Sequence, residues 1–173
     1  FLIREESADK VADLRSFWGV GPARAVPVFG DLTAKKLGVA ADDVKKLKGQ
    51  IDHFYHLAAV YDLAADEETQ VAVNIEGTRN TVDLAKGIDA GHFHHVSSIA
   101  VAGSYAGTYT ENDFDVAQEL PTPYHQTKFE AEQLVRATPG LRHRIYRPAV
   151  VVGDSRTGEM DKVDGPYYFF GVL

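Results

Sequence analysis

The sequence predicts an α/β protein with a doubly wound parallel sheet, and three observations lead to this fold class. Short apolar segments of strand length alternate with amphipathic segments of helix length along the whole chain. This alternation predicts parallel strands covered by helices on both faces, a three-layer α/β/α arrangement. The polar residues with catalytic potential each follow a predicted strand or open the next helix, which is where open α/β sheets bind ligands.

The elements follow one another in a regular order. A strand end at 1–3 precedes a helix that Ser7 is expected to cap and that runs to about Trp18. Pro123 suits the first turn of the last helix, because its fixed φ is helical and its missing N–H is not needed there. The remaining predicted strands are 25–29, 51–57 (buried), 92–97 and 141–147, and the remaining helical segments are 37–48 (a surface helix or a pair of turns), 66–85 and 123–137.

The length and composition of the chain exclude several classes of function. With 173 residues the chain is predicted to be one domain, 1–173. A net charge of −7 without a basic cluster argues against nucleic-acid binding. The sequence has no cysteine, and no apolar run approaches the roughly 18 residues of a membrane span, so we expect no integral membrane segment and a cytoplasmic location.

One stretch carries the strongest chemical signal. Tyr124 and Lys128 are four residues apart and therefore lie on one face of the predicted helix. An ammonium group beside a phenol favours the phenolate, so such a pair can hand a proton to a carbonyl oxygen. Tyrosine and lysine also occur at this spacing on many solvated helices. Ser98 supports the catalytic interpretation, because it lies at the end of the preceding predicted strand and could donate to the same carbonyl oxygen. Ser97 is the less favoured alternative for this role.

Several motifs occur together in a fixed order. They are Gly30-Asp31-Leu32-Thr33, His56-Leu57-Ala58-Ala59, Asn74-Ile75-Glu76-Gly77-Thr78, Val96-Ser97-Ser98, Tyr124-x-x-x-Lys128 and Arg147-Pro148. In content, order and spacing they resemble the extended short-chain dehydrogenases/reductases, over nearly the whole chain. The resemblance implies a Rossmann-like fold and a nicotinamide cofactor.

A finer resemblance concerns the substrate. The segments 53–62, 152–159 and 161–170 resemble the bacterial fatty acyl-CoA reductases. This implies NADPH-dependent reduction of a fatty acyl-CoA thioester or a fatty aldehyde towards the alcohol. Aromatic residues at 165–170, together with 120–123, are expected to face an alkyl chain, although the same aromatics could simply pack the core. The chain begins at a strand end and stops within an apolar segment, so we expect it to be truncated at both ends. The family's first strand and glycine-rich turn, which this sequence lacks, would belong to the missing N-terminal part.

The resemblance also assigns cofactor contacts. Lys128 would hold the nicotinamide ribose beside Tyr124, and Arg4 would pair with a 2′-phosphate, which indicates NADPH. Arg4 could instead be an exposed residue paired with Glu5 or Glu6. The full set of expected cofactor contacts is Arg4, Asp31, Leu32, Leu57, Ala58, Ala59, Asn74, Tyr124, Lys128, Pro148 and Val150.

Other interpretations remain open from the sequence. A nucleotide-sugar epimerase or dehydratase would use the same three residues, and a dinucleotide-binding sensor would need none of them. A metal site is not expected at His92, His94 and His95, because no nearby cysteine or acidic residue completes a ligand set. A homo-oligomer is left open.

Overall fold

The computed structural model describes residues 1–61, 66–160 and 167. Its five strands form two parallel sheets, which confirms the predicted fold class. The first sheet pairs β1 (Leu2–Ile3) with β2 (Val28–Phe29). The second has the order β3-β4-β5, formed by His53–His56, His92–Val96 and His143–Tyr146. The central strand β4 therefore has a neighbour on each side, and the carboxyl ends of all three strands meet at one edge.

Helices connect the strands. They are α1 (Val11–Phe17), α2 (Ala41–Leu47), α3 (Glu67–Gln70), α4 (Gly77–Gly87) and α5 (Pro123–Ala137). A π-helical segment, Val71–Glu76, joins α3 to α4 without a break, so the predicted long helix at 66–85 is confirmed. Short 3₁₀ segments lie at Glu5–Lys10, Lys35–Gly38 and Ile99–Ala102. Among the described residues, no helix combines the length and apolarity needed to cross a bilayer.

The core lies between the three-stranded sheet and the two longest helices. Phe93 of β4 packs against Val82 and Ala85 of α4 and against Val135 of α5, and all four are buried. A second cluster joins Leu37 to α4. Burial of this apolar surface, at roughly 25 cal/mol per Å², holds α4 and α5 on one face of the sheet.

Two local expectations are wrong. The first helical turn begins at Glu5, and Ser7 lies inside it, with its backbone N–H donating to the Arg4 carbonyl at 2.9 Å. The strand at 51–57 is not buried on both faces: His56 points into the core, whereas Tyr55 is 57% exposed. A parallel strand is buried throughout only where both of its faces are covered, and the described helices that pack on β3 and β5 cover one face.

Candidate active site

Helix α5 presents Tyr124 and Lys128 at its beginning. Thr122 caps the helix, because its hydroxyl accepts from the backbone N–H of His125 at 3.4 Å, and Pro123 occupies the first turn. Tyr124 is half-buried, one turn before Lys128, whose side chain is buried with the residue only 4% exposed. The two side chains share one helix face, as their spacing predicted.

Lys128 joins α5 to the end of β4. Its ammonium group donates to the carbonyl oxygen of Val96, the last residue of β4, at 2.9 Å. Burial lowers the pKa of Lys128 to about 8, although the Glu132 carboxylate acts in the opposite direction. A lysine of this kind is an anchored cation whose charge is lost just above neutral pH.

Ser98 lies two residues beyond that carbonyl. It caps the 3₁₀ segment Ile99–Ala102, and its hydroxyl oxygen accepts from the backbone N–H of Ala100 at 3.1 Å. The segment packs against α5, so Ser98 and the start of the helix belong to one substructure. The hydroxyl hydrogen of Ser98 is available to donate, because the bond to Ala100 uses only an oxygen lone pair. Ser97 is 3% exposed, whereas Ser98 is partly exposed.

Asn74 holds the loop after β3. Its amide oxygen accepts from the backbone N–H of Val60 at 2.8 Å, and its amide nitrogen donates to the Val60 carbonyl at 3.0 Å. The same nitrogen donates to the hydroxyl of Thr127, beside Lys128, at 3.1 Å. Asn74 is buried within the π-helical segment. Asn74 thus holds the loop backbone through buried hydrogen bonds.

Five further predicted cofactor contacts border the same sheet edge. Leu57, Ala58 and Ala59 follow β3, and Pro148 and Val150 follow β5, on the two sides of β4. Pro148 lies against the turn after Ser98, since its carbonyl accepts from the N–H of Ile99 at 3.1 Å. Leu57 is 67% exposed and Val150 is 63% exposed. An exposed apolar margin around a polar centre fits the nicotinamide end of a dinucleotide.

A second group of predicted residues lies in a separate cleft of about 390 Å³. Arg4 and Asp31 both line it, together with Glu5, Glu6 and Asp43. The Arg4 guanidinium contacts the Glu6 carboxylate at 2.9 Å on the surface, which is the ion pair that the sequence left open as an alternative. Hydrogen bonds from Thr33 lower the pKa of Asp31, and Arg4 adds a smaller electrostatic contribution.

Leu32, next to Asp31, is fixed by α4. A Cβ atom on Gly77 would lie 2.7 Å from a methyl carbon of Leu32, so glycine lets this side chain approach the helix. The side-chain amide of Asn80 also donates to the Leu32 carbonyl at 3.0 Å. The cleft and this fixed turn fit the adenosine end of a dinucleotide.

Sequence reasoning assigned no role in the site to two sets of residues. His56 and His95 are buried near Lys128; burial, and then the Lys128 charge, lower the pKa of His56 to about 4. Glu132 and Arg147 form a buried ion pair at 2.7 Å. The spacing of Lys128, Glu132 and Arg136 along one helix face was a usable signal for the second set, whereas nothing local distinguished the histidines.

Two further expectations concern metal ligands and aromatic residues. Within the described part of the chain, no group of three or more potential metal ligands converges on one point. The aromatic segment 165–170, expected near the substrate, lies outside the described residues except for Tyr167, whose hydroxyl accepts from the backbone N–H of Gly153 at 2.6 Å.

Comparison with known proteins is consistent with this geometry. The family model described as Male sterility protein, an NAD-binding family, matches residues 3–173. A component of the linear gramicidin synthase of Brevibacillus parabrevis is 30% identical over 90% of this chain and 3% of its own length. The fatty acyl-CoA reductase wat of Drosophila melanogaster is 27% identical over 80% of this chain and 33% of its own length. The chain thus spans at most a third of these two relatives.

Two solved structures share the fold. The terminal R domain from the myxalamid PKS-NRPS biosynthetic pathway is 31% identical, with a TM-score of 0.75, over 90% of this chain and 43% of that one. UDP-glucuronic acid 4-epimerase from Bacillus cereus, in complex with NAD, is 25% identical, with a TM-score of 0.61, over 84% and 45%. Because the family model spans almost all of the sequence, the chain belongs to the Male sterility protein family, an NAD-binding family with a Rossmann-like fold.

Proposed function

We propose that this chain carries a reductase site for acyl thioesters, with fatty acyl-CoA as the thioester and NADPH as the reductant. The observation that carries the proposal is the buried Lys128, which joins the helix of Tyr124 to β4, the strand that ends two residues before Ser98. In the proposed site a phenol, a hydroxyl and a cation act together at one sheet edge. Those groups suit a carbonyl oxygen that becomes negatively charged during reduction.

Each residue has a distinct role. NADPH, when bound, supplies the hydride that reaches the thioester carbon. Ser98 donates a hydrogen bond to the carbonyl oxygen, and Tyr124 gives its proton to that oxygen as the charge develops. Lys128 favours the resulting phenolate through its positive charge. Expulsion of the thiol from the hemithioacetal leaves an aldehyde. A second equivalent of reductant would convert this aldehyde to the alcohol, with Ser98 and Tyr124 again donating to the carbonyl oxygen.

Two similar proteins support a thioester as the class of substrate. One relative is named as a fatty acyl-CoA reductase, and another structure is a terminal R domain of a PKS-NRPS pathway. The runner-up is a nucleotide-sugar epimerase, favoured by the likeness to UDP-glucuronic acid 4-epimerase. In that case the same three residues would act on a sugar alcohol and ketone.

The test is an assay of the protein with NADPH and acyl-CoAs of increasing chain length. We expect NADPH oxidation, with KM falling as the chain lengthens, since each buried CH₂ contributes about 0.8 kcal/mol. Tyr124→Phe should lower kcat by about 10²–10⁴-fold, the usual contribution of a positioned acid, and leave NADPH affinity nearly unchanged. Tyr55→Phe, on the open sheet face, is the matched control.

Two results would contradict the proposal. Near-normal turnover by Tyr124→Phe would remove Tyr124 from the mechanism. Conversion of a nucleotide-sugar, without activity on acyl-CoA or aldehyde, would establish the runner-up instead.

A further inference from the structure

A single loop connects the two halves of the candidate site. Residues 103–122, which we name the cover loop, run from the turn after Ser98 to the helix of Tyr124. Gly103 begins the loop with φ of 52°, and a Cβ atom there would collide with the Glu119 carbonyl oxygen. The N–H of Ser104 donates to that same oxygen at 3.0 Å. The two ends of the cover loop are thus closed against each other.

The interior of the loop has its own structure. The side-chain amide of Gln118 donates to the carbonyls of Val101 and Phe114, at 2.7 and 2.8 Å. The Asp113 carboxylate accepts from both the N–H and the hydroxyl of Thr110, at 2.7 and 2.8 Å, which forms a tight turn. These bonds shape the loop but do not attach its outer turn to the rest of the domain.

Arg147 attaches the turn itself, next to Phe114, whose ring stacks on Phe129 of α5 at 4.4 Å. Its guanidinium donates to the carbonyl of Thr110 at 3.2 Å and to the carbonyl of Asp113 at 2.8 Å. It also lies over the rings of Tyr109 and Phe114, at 5.1 and 5.9 Å. Because Arg147 directly follows β5 and precedes Pro148, it holds the outer turn of the cover loop against the sheet edge.

Glu132 fixes the guanidinium from the opposite side. Its carboxylate, on α5, accepts three bonds from Arg147, the shortest at 2.7 Å, and one from Arg136 at 2.8 Å. The Glu132 side chain is completely buried. Burial alone would raise its pKa, but the bonds from Arg147 and Arg136 outweigh that effect and lower it. Glu132 lies one turn after Lys128 on the same helix.

We infer that the Glu132–Arg147 pair is a positioning device that sets the cover loop, and with it the distance between Ser98 and Tyr124 at the substrate carbonyl. The planar guanidinium uses its fixed array of donors to bind a carboxylate and two backbone carbonyls at once. A lysine has the charge but not this geometry. This role rests on the proposed reductase function, since Ser98 and Tyr124 must act on the same oxygen.

The experiment compares Arg147→Lys with wild type by steady-state kinetics and by hydrogen exchange of the loop. A displacement of about 1 Å at reacting groups can cost about 10²-fold, so we expect kcat with acyl-CoA to fall by about 10²-fold. The dissociation constant of NADPH should stay within about twofold, because no predicted cofactor contact is changed. Exchange should rise in residues 103–118 and remain unchanged in β3, β4 and α4. Arg144→Lys, exposed on the same strand, is the control.

Glu132→Gln provides a second test, because it keeps the shape of the side chain and removes its charge. It should reproduce the kinetic effect of Arg147→Lys, and failure of this variant to fold would leave Arg147→Lys as the deciding one. Wild-type kcat in Arg147→Lys would overturn the inference, and so would a rise of exchange throughout the domain. If wild type reduces no thioester, the proposed function fails, and the exchange data alone decide whether Arg147 orders the loop.

Discussion

Arg4 shows how weakly a surface ion pair constrains a side chain. Its contact with Glu6 is largely solvent-exposed, and such pairs contribute at most about 1 kcal/mol. A 2′-phosphate brings two negative charges and three acceptor oxygens, so it would compete well for the guanidinium. The acidic residues that line the same cleft act against a phosphate, so we propose that Arg4 decides the choice between NADPH and NADH.

Arg4→Asp should therefore weaken NADPH binding much more than NADH binding. Loss of a charge-assisted hydrogen bond costs about 1.5–3 kcal/mol, so we expect the ratio of the two dissociation constants to change by at least about tenfold. Calorimetric titration of both cofactors measures it, with Lys10→Asp, exposed on the same 3₁₀ segment, as the control. An unchanged ratio would make Arg4 a surface residue without a role in cofactor choice.

At the scale of elements, the buried Lys128 between α5 and β4 costs stability, because burial disfavours its charged form. Lys128 donates to the Val96 carbonyl beside the apolar packing of Phe93 on Val135, and it is buried there with a pKa lowered to about 8. Because the unfolded lysine titrates near 10.5, the folded protein destabilises the charged form. We propose that the charge of Lys128 acts in the reaction, which would account for a buried cation at this position.

Lys128→Met should accordingly be more stable than wild type at pH 7 and should lose turnover. The lowered pKa corresponds to roughly 3 kcal/mol of desolvation cost, partly offset by the lost bond to Val96. Between pH 8 and 10.5 the unfolded wild type binds a proton that the folded form has lost, so wild-type stability rises. The advantage of the variant should shrink over this range in urea unfolding. Lys45→Met, exposed on α2, is the control, and a constant difference across pH would contradict the assignment.

The whole molecule has a core that contains buried histidines. His56 donates to or accepts from the Thr78 hydroxyl at 2.8 Å, and His95 is 1% exposed. Burial lowers the pKa of both, and Lys128 lowers that of His56 further. Both rings are thus neutral in the fold, and protonation must accompany unfolding in acid.

The protein should lose stability as the pH falls from about 6.5 to about 4. Over that window His56 binds a proton in the unfolded state but not in the folded state. The free energy of unfolding therefore falls by roughly 3 kcal/mol because of this residue. His56→Leu should flatten the pH dependence of the free energy of unfolding, measured by urea titration at several pH values. His92→Leu, on an exposed position, should keep the wild-type slope. Equal slopes for the two variants would show that His56 does not drive the acid response.

Local physical chemistry determined much of this protein. The alternation of apolar segments predicted parallel strands and their helices, and Pro123 marked the start of α5. The helical period placed Tyr124 and Lys128 on one face without knowledge of any other segment. Strand ends could be located only approximately, since 51–57 proved to be His53–His56. These are properties of neighbouring residues, which a sequence displays directly.

The tertiary structure alone decided how the site is held. Three hydrogen bonds of the site join residues that are far apart in the sequence. Lys128 donates to the Val96 carbonyl, 32 residues away. The other two bonds join Asn74 to Thr127, 53 residues apart, and Arg147 to Thr110, 37 residues apart. The lowered pKa of Lys128 likewise depends on burial by segments remote in sequence. A residue's type and spacing specify what it can donate or accept, but its partner and its solvation are set only when distant segments pack together.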